Sequence, residues 1–242
     1  MATYFGEVVF PSSRAFWDEY EGEESIDELQ DEPHINIIWL KDKPTSMKKF
    51  VLVEGEIIID FLKEFLCHDS EKICAIQNEY NKELAVIYQV NEEDLYICII
   101  APSFDTKIAG DFIIKISDIL SICKSIYLIS WRHVSHYKSA NIPAVPSFLR
   151  CLYTKSGNNL CKSHKELLEQ PNIIYGVAAG ILSYAQMMDF QSVLYVLYTD
   201  TFVLDSIAAK PLIEIFAEIS NQILHNISFA GKSFFNKGNL YM

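Results

Sequence analysis

Short apolar runs, separated by charged or turn-forming residues, recur through the central part of the chain. Five of these runs are rich in β-branched and aromatic residues and predict strands, at 35–40, 49–54, 73–77, 84–90 and 95–101. Acidic residues separate the last two runs, which predicts a hairpin between them.

Two further runs, 125–131 and 192–200, are almost continuously apolar, as in strands that are buried on both faces. Helices are predicted where apolar residues recur every three or four positions, at 57–66, 111–124, 173–188 and 206–224. Prolines and Gly157 predict a loop over 139–162.

The alternation of strands and helices predicts the α/β class, as a single domain of three-layer type with a mixed sheet flanked by helices. We expect this domain to span 34–225. Residues 1–33 are predicted to form an apolar arm and a flexible acidic linker, and residues 226–242 an extended C-terminal tail.

Half of the residues are hydrophobic, which is enough for a sizeable core. The first residues lack the pattern of a signal peptide, and no apolar run approaches the roughly 18 residues that span a bilayer. The six cysteines contain no C-x-x-C pair, and we expect reduced thiols. These observations predict a cytoplasmic protein without membrane insertion.

The formal net charge is −12, and nine carboxylates without a base lie between Asp18 and Glu32. An acidic chain with no basic stripe argues against nucleic acid or an anionic membrane as a partner. The acidic segment itself is predicted to be solvated, because like charges at this density repel each other. A generic interaction module that binds basic partners through this segment remains an alternative.

Candidate chemistry is sparse. His133 and His136 follow a predicted buried strand beside Arg132, while Asp200 and Asp205 follow another. The ends of parallel strands are where α/β proteins bind ligands, so an α/β enzyme with a site near His133 and Asp200 is an alternative function. No nucleophile elbow, dinucleotide fingerprint or complete metal-ligand set accompanies these residues, and we predict no catalytic residue, cofactor or metal.

The last three residues, Leu240, Tyr241 and Met242, place an aromatic side chain beside a carboxylate. The approach to them is broken by glycines and lacks acids, so we expect the segment to leave the domain. An exposed aromatic anchor next to a terminal carboxylate is suited to a pocket on another protein. The alternative is that these residues fold back on the core.

Several stretches resemble the proteasome assembly chaperone 1 family, one of the families of proteasome core-particle assembly chaperones. They are Thr3 to Val9, Trp131 to Lys138, Pro146 to Arg150, Leu167 to Ile174, Leu182 to Tyr184 and Leu197 to Asp200. The family also ends in a hydrophobic-tyrosine-any tripeptide, which Leu240, Tyr241 and Met242 match. The region 24–120 is similar in pattern only.

The resemblance implies a non-enzymatic chaperone that forms a heterodimer with proteasome assembly chaperone 2. This heterodimer would bind proteasome α-subunits, promote α-ring assembly and prevent unproductive ring pairing. The tail Leu240, Tyr241 and Met242 would enter a pocket between neighbouring α-subunits. The resemblance assigns no role to the segments around Arg132-His133 and Gln170-Pro171-Asn172.

Overall fold

A computed structural model describes residues 34–65, 70–90, 94–161 and 166–220. In these residues the chain forms eight strands: β1 (Asn36–Trp39), β2 (Met47–Glu54), β3 (Glu71–Gln77), β4 (Glu83–Val90), β5 (Leu95–Ile100), β6 (Cys123–His133), β7 (Ser147–Tyr153) and β8 (Ser192–Thr199).

The same part of the chain forms five α-helices: α1 (Glu56–Phe65), α2 (Ala109–Lys115), α3 (Ser117–Ser121), α4 (Val177–Met187) and α5 (Lys210–Ile219). Short 3-10 helices lie at Thr106–Ile108, Val134–His136 and Lys155–Leu160. None of the described helices is both long and apolar enough to span a membrane.

The strands form one sheet in the order β1-β3-β4-β5-β2-β6-β8-β7. The four central strands β5, β2, β6 and β8 are parallel, whereas the outer strands pair antiparallel with their neighbours. The carboxyl ends of β2, β6 and β8 therefore lie along one edge of the sheet. Since β7 is antiparallel to β8, β7 begins at this edge, where Ser147 pairs with Thr199.

Side chains alternate between two cores, one on each face of the sheet. In β2, Phe50 and Leu52 belong to the core that α2, α3 and α4 cover, while Val51 and Val53 belong to the core under α1 and α5. This period of two is what a strand buried on both faces requires. The predicted α/β fold, with a mixed sheet between helices, is confirmed. The predicted boundaries at 33 and 226 stay predictions, because 1–33 and 221–242 lie outside the described residues.

The prediction of a loop over 139–162 is wrong. This region contains β7 and the 3-10 helix Lys155–Leu160. Pro143, Pro146 and Gly157, on which that prediction rests, flank β7 and do not lie in it. Arg150 interrupts the apolar run of the strand and is buried because Glu166 and Tyr137 satisfy its guanidinium.

Three predicted helices have different bounds in the structure. The helix over 111–124 is divided into α2 and α3 at Ile116, and Cys123 already belongs to β6, where it pairs with Met47 of β2. The helix over 173–188 begins at Val177, because Gly176 has a φ of 103° that ends the extended segment before it. The helix predicted over 206–224 is α5, which begins at Lys210 because residues 206–209 form a turn; residues 221–224 lie outside the described residues.

Candidate functional site

The carboxyl edge of the central strands collects four of the segments on which the family resemblance rests. Residues 131–138 end β6, residues 146–150 begin β7, residues 197–200 end β8, and residues 167–174 run beside β7. Sequence distance had separated these segments, and the parallel topology brings them together.

A buried ion pair joins β6 to β2 at this edge. Arg132 Nη2 lies 3.7 Å from Glu54 Oε1, and both side chains are largely shielded from solvent. The other carboxylate oxygen of Glu54 accepts the Ala178 N–H at 3.1 Å, in the first turn of α4. Burial raises the pKa of Glu54, and this backbone hydrogen bond and the nearby Arg132 oppose the rise.

Gly176 is required by this arrangement. Its φ of 103° is strained for any residue with a side chain, and a Cβ there would lie 2.9 Å from both carboxylate oxygens of Glu54. Within the described residues, Glu54 Oε1 and Arg132 Nε are buried without a hydrogen-bond partner. The pair is therefore held by charge and packing rather than by a bidentate hydrogen bond.

Arg132 also holds the segment before α4. Its Nη2 donates to the Tyr175 carbonyl, and its Cζ lies 4.3 Å from the centroid of the Tyr175 ring. A cation over an aromatic ring fixes the ring orientation. Tyr175 is nevertheless 57% exposed, so its outer face is presented to solvent.

His133 and Asp200 lie close together in the structure, but the imidazole contacts the main-chain carbonyl of Asp200. Nδ1 of His133 accepts the Ser135 N–H at 3.2 Å, so the ring proton is on Nε2, which donates to the Asp200 carbonyl at 3.1 Å. The ring also stacks on Phe202, with centroids 4.9 Å apart. The imidazole is thus engaged in joining β6 to the loop after β8, and no imidazole–carboxylate pair suited to acid–base catalysis is formed between these two residues.

The remaining residues of the predicted polar site have separate places. His136 is exposed at the end of its 3-10 helix. Asp205 accepts the N–H groups of Ile207 and Ala208 at 2.9 and 2.7 Å, which is the chemistry of a cap. No group of three residues able to hold a metal ion occurs in the described ranges.

A second polar network ties β7 to the segment that leads to α4. The Arg150 Nε donates to the Tyr137 hydroxyl at 2.9 Å, and this hydroxyl donates to Glu169 Oε1 at 2.8 Å. Arg150 Nη2 lies 2.7 Å from Glu166 Oε2. Hydrogen bonds from Ser139 and Tyr137 hold the pKa of Glu169 below its ordinary value.

Asn172 hydrogen-bonds to the loop after β6 and to the segment that leads to α4. Its Oδ1 accepts the Lys138 N–H at 2.7 Å, and its Nδ2 donates to the Lys138 and Glu169 carbonyls at 2.9 and 2.8 Å. The Gln170-Pro171 peptide bond before it is cis. The segment Gln170-Pro171-Asn172 therefore positions loops, a role that an asparagine alone in a sequence does not reveal.

The loops around these polar groups carry a set of exposed apolar side chains, which we name the carboxyl-edge rim. Its six members are Ile142, Val145, Ile173, Tyr175, Phe202 and Ile207, each at least half exposed. Sequence reasoning missed the rim for two reasons. Ile142, Val145 and Phe202 lie in segments without periodicity, and Ile173, Tyr175 and Ile207 were assigned to helices that begin only at Val177 and Lys210. An open cavity of about 340 Å³ lies elsewhere, between Lys41, Ile73, Gln89 and Tyr96. The rim offers exposed apolar area of the kind that protein contacts bury.

The predicted pocket ligand, Leu240, Tyr241 and Met242, lies outside the described residues, as do the arm and linker at 1–33.

Comparison with known proteins agrees with the resemblance. The human protein Proteasome assembly chaperone 1 is 28% identical over 258 residues, covering 88% of this chain and 88% of that protein. The zebrafish protein of the same name is 25% identical over 243 residues, covering 85% and 86%.

Solved structures show the same fold. Pyrococcus furiosus PbaA, described as an archaeal homolog of proteasome-assembly chaperone, superimposes with a TM-score of 0.60 at 14% identity, over 81% of this chain and 84% of that one. A family model described as Proteasome assembly chaperone 4 matches residues 1–237. The chain therefore belongs to this proteasome assembly chaperone family.

Proposed function

We propose that the protein is a non-enzymatic chaperone of proteasome assembly that acts as a heterodimer with proteasome assembly chaperone 2. In this role it promotes formation of the α-subunit ring and prevents unproductive ring pairing, in the cytoplasm. The observation that carries the proposal is the match of the family model to residues 1–237. The carboxyl-edge rim supports it, because Glu54 faces Arg132 and His133 bonds the Asp200 main chain, while apolar side chains at this edge are exposed.

We assign the heterodimer contact to the rim. Tyr175 and Phe202 are 57% and 67% exposed. The guanidinium of Arg132 lies over one face of the Tyr175 ring, and the imidazole of His133 stacks on the Phe202 ring. Exposed aromatic side chains that are already ordered lose little conformational freedom when a partner covers them. Aromatic residues of this kind supply much of the binding energy at protein interfaces.

The tail is assigned to the α-ring. Tyr241 is the anchor in a pocket between neighbouring α-subunits, Leu240 adds buried area, and the Met242 carboxylate pairs with a lysine of the pocket. A buried tyrosine contributes about 2 kcal/mol and a charge-assisted hydrogen bond about 1.5–3 kcal/mol. Ordering each tail residue costs about 1–2 kcal/mol, so these terms nearly cancel and the tail alone binds weakly. A second contact, through the partner subunit, is therefore needed for useful affinity.

Deletion of Leu240 to Met242 tests the assignment. The full-length and the truncated chain are each co-expressed with proteasome assembly chaperone 2 and captured from extract through that subunit, and bound α-subunits are quantified. We expect the truncated chain to form the heterodimer normally and to retain roughly one hundredth of the α-subunit binding.

The point variant Tyr241→Ala should reproduce most of this loss. Its matched control is Tyr80→Ala, which removes a tyrosine that is 79% exposed in the turn between β3 and β4. Undiminished capture of α-subunits by the truncated chain would exclude the tail as a pocket ligand. Activity that depends on His133 and Asp200 and is indifferent to the tail would instead favour the enzyme alternative.

A further inference from the structure

Two thiols on β7 and the segment after it lie close together. The Sγ atoms of Cys151 and Cys161 are 3.5 Å apart. Cys151 is fully buried in β7, whereas Cys161 is partly exposed after the 3-10 helix Lys155–Leu160. The separation of ten residues is unlike any short cysteine motif, and for this reason the sequence predicted unrelated reduced thiols.

The main chain between the cysteines holds them in place. Thr154 Oγ1 accepts the N–H groups of Gly157 and Ser192, both at 3.0 Å, and donates to the Phe190 carbonyl at 2.8 Å. Gly157 packs so closely on β8 that a Cβ there would lie 2.2 Å from the Ser192 carbonyl oxygen. These contacts fix the 3-10 helix on β8 and so fix the distance between the thiols without a covalent bond.

We propose that Cys151 and Cys161 are a redox-active dithiol that closes to an intrachain disulfide when the glutathione pool is oxidised. The partly exposed Cys161 attacks glutathione disulfide, forming a mixed disulfide and releasing one glutathione. Cys151 then attacks Cys161 Sγ, releasing the second glutathione with the thiol proton. Two protein thiols are oxidised and one glutathione disulfide is reduced to two glutathiones.

The movement that the reaction requires is small. A disulfide has sulfurs about 2.0 Å apart, so the two atoms approach by about 1.5 Å, within the reach of side-chain rotation. The bond would fasten the 3-10 helix to β7, whose Cys151 main chain also accepts the Leu168 N–H and donates to the Glu166 carbonyl. It would therefore stiffen the outer edge of the sheet, beside the Arg150 network.

Other described thiols differ in surroundings. Cys74, Cys98 and Cys123 lie near one another on the opposite face of the sheet, around β2 and β5. Burial raises the pKa of Cys74 to about 11 and that of Cys123 to about 12, so these thiols stay protonated and react slowly. Among the thiols that the structure describes, oxidation is thus directed to the Cys151–Cys161 pair.

The test uses the full-length wild-type chain, equilibrated in glutathione buffers from fully reduced to fully oxidised. Free thiols are then alkylated, and the intact mass and the peptide map are measured. We expect the oxidised chain to carry two fewer alkyl groups than the reduced chain and the map to contain a Cys151–Cys161 linked peptide, reversibly. An unchanged mass, or a linked peptide that joins other cysteines, would overturn the proposal.

Two variants separate the steps. In Cys151→Ser, glutathione should remain attached at Cys161, because the resolving thiol is absent. In the control Cys123→Ser, the disulfide should form as in the wild type. A stable glutathione adduct at Cys161 of the wild-type chain would also contradict the proposal, since Cys151 would then have failed to displace it. None of these outcomes depends on binding to α-subunits.

Discussion

Glu54 shows how one buried charge organises the carboxyl edge. Its carboxylate accepts a main-chain N–H of α4 and faces Arg132, and Gly176 leaves the space that the carboxylate occupies. A buried ion pair of this kind adds little net stability, because desolvation offsets the Coulomb attraction. Its main effect here is positional, since it sets where α4 begins and where Tyr175 is presented.

The first prediction concerns the pH dependence of stability. Burial raises the pKa of Glu54 in the folded state above the ordinary value of 4.5, so the folded state holds this proton more tightly than the unfolded state. The corresponding contribution to stability is complete below pH 4.5 and is lost as the pH rises through the folded pKa. We expect Glu54→Gln, measured by urea denaturation between pH 4 and 7, to lose this pH-dependent contribution.

Glu169→Gln is the control, because the pKa of Glu169 is shifted in the opposite direction to that of Glu54. The pKa of Glu169 is lowered by hydrogen bonds from Ser139 and Tyr137, so its contribution is present above the ordinary pKa and is lost as the pH falls. If the Glu54→Gln variant and the wild type differed by the same free energy at every pH, Glu54 would not be the carboxyl group with the raised pKa.

The second prediction concerns Gly176. Its replacement by alanine forces a side chain into a positive φ and against the Glu54 carboxylate, and we expect a loss of about 1–3 kcal/mol in the free energy of unfolding. Gly110→Ala is the matched control, because a Cβ there meets nothing within 4 Å and the residue lies in α2. That control should be neutral or stabilising by up to about 1 kcal/mol. Equal stability of the two variants in thermal and urea denaturation would contradict the strain argument.

At this scale the sequence could predict which residues lie close together, but not which of their atoms are in contact. His133 and Asp200 each follow a buried apolar run, and parallel strands bring such ends together, so their proximity was predictable. Which atom of Asp200 the imidazole contacts was not, because main-chain carbonyls carry no sequence signal. The same holds for Asn172, whose two hydrogen bonds to Lys138 depend on a loop conformation.

Among the elements, β7 is where sequence reasoning fails most clearly. Central strands such as β2 and β8 have apolar residues on both faces and were predicted well. In β7 the run Phe148 to Tyr153 is interrupted by Arg150, whose charge is compensated by residues distant in sequence. The division between α2 and α3 was also hidden, because Ile116 continues the apolar period of the helix while its main chain ends α2.

The third prediction tests how strongly Arg150 fastens this strand. Arg150→Met keeps the apolar stem and removes the contacts to Tyr137 and Glu166, and we expect a loss of about 2 kcal/mol in the free energy of unfolding. The comparison variant Lys72→Met removes an ion pair with Glu83 whose cation is more exposed than Arg150, and it should cost less than about 0.5 kcal/mol.

For the Arg150 experiment, stability is measured by urea denaturation, and hydrogen exchange of the β7 amides locates the effect. An exchange rate that rises over that of the wild type in β7 but not in β2 would show that this edge of the sheet has loosened. Identical stability of the Arg150→Met and Lys72→Met variants would mean that the buried guanidinium contributes no more than a surface charge.

At the scale of the whole molecule, the proposed function assigns contacts to two parts of the chain. The carboxyl-edge rim belongs to the described domain and is ordered from behind by Arg132 and His133. The tail residues Leu240, Tyr241 and Met242 are recognisable from sequence alone. Two weak contacts that act together can give a high overall affinity that remains reversible. Reversible binding is what the proposed chaperone function requires.

The fourth prediction separates the two surfaces. The rim variant Tyr175→Ser/Phe202→Ser removes the two aromatic anchors, whereas the control Tyr153→Ser/Met187→Ser removes two exposed apolar residues at the opposite edge of the sheet. With proteasome assembly chaperone 2 co-expressed, native mass spectrometry should show loss of the heterodimer for the rim variant and an intact heterodimer for the control. Each anchor is expected to contribute about 2 kcal/mol to the contact.

The variants are then ranked by how strongly each binds α-subunits. The tail deletion should bind weakly although it is heterodimeric, and the rim variant should bind about a hundredfold more weakly than the wild type because it keeps the tail and loses the partner. A chain that carries both changes should not bind measurably. If the rim variant remained heterodimeric and the tail deletion still lost α-subunit binding, the partner would contact another surface while the chaperone function stood. If both variants bound α-subunits as the wild type does, the two-contact mechanism would be wrong, because neither surface would then contribute to the grip.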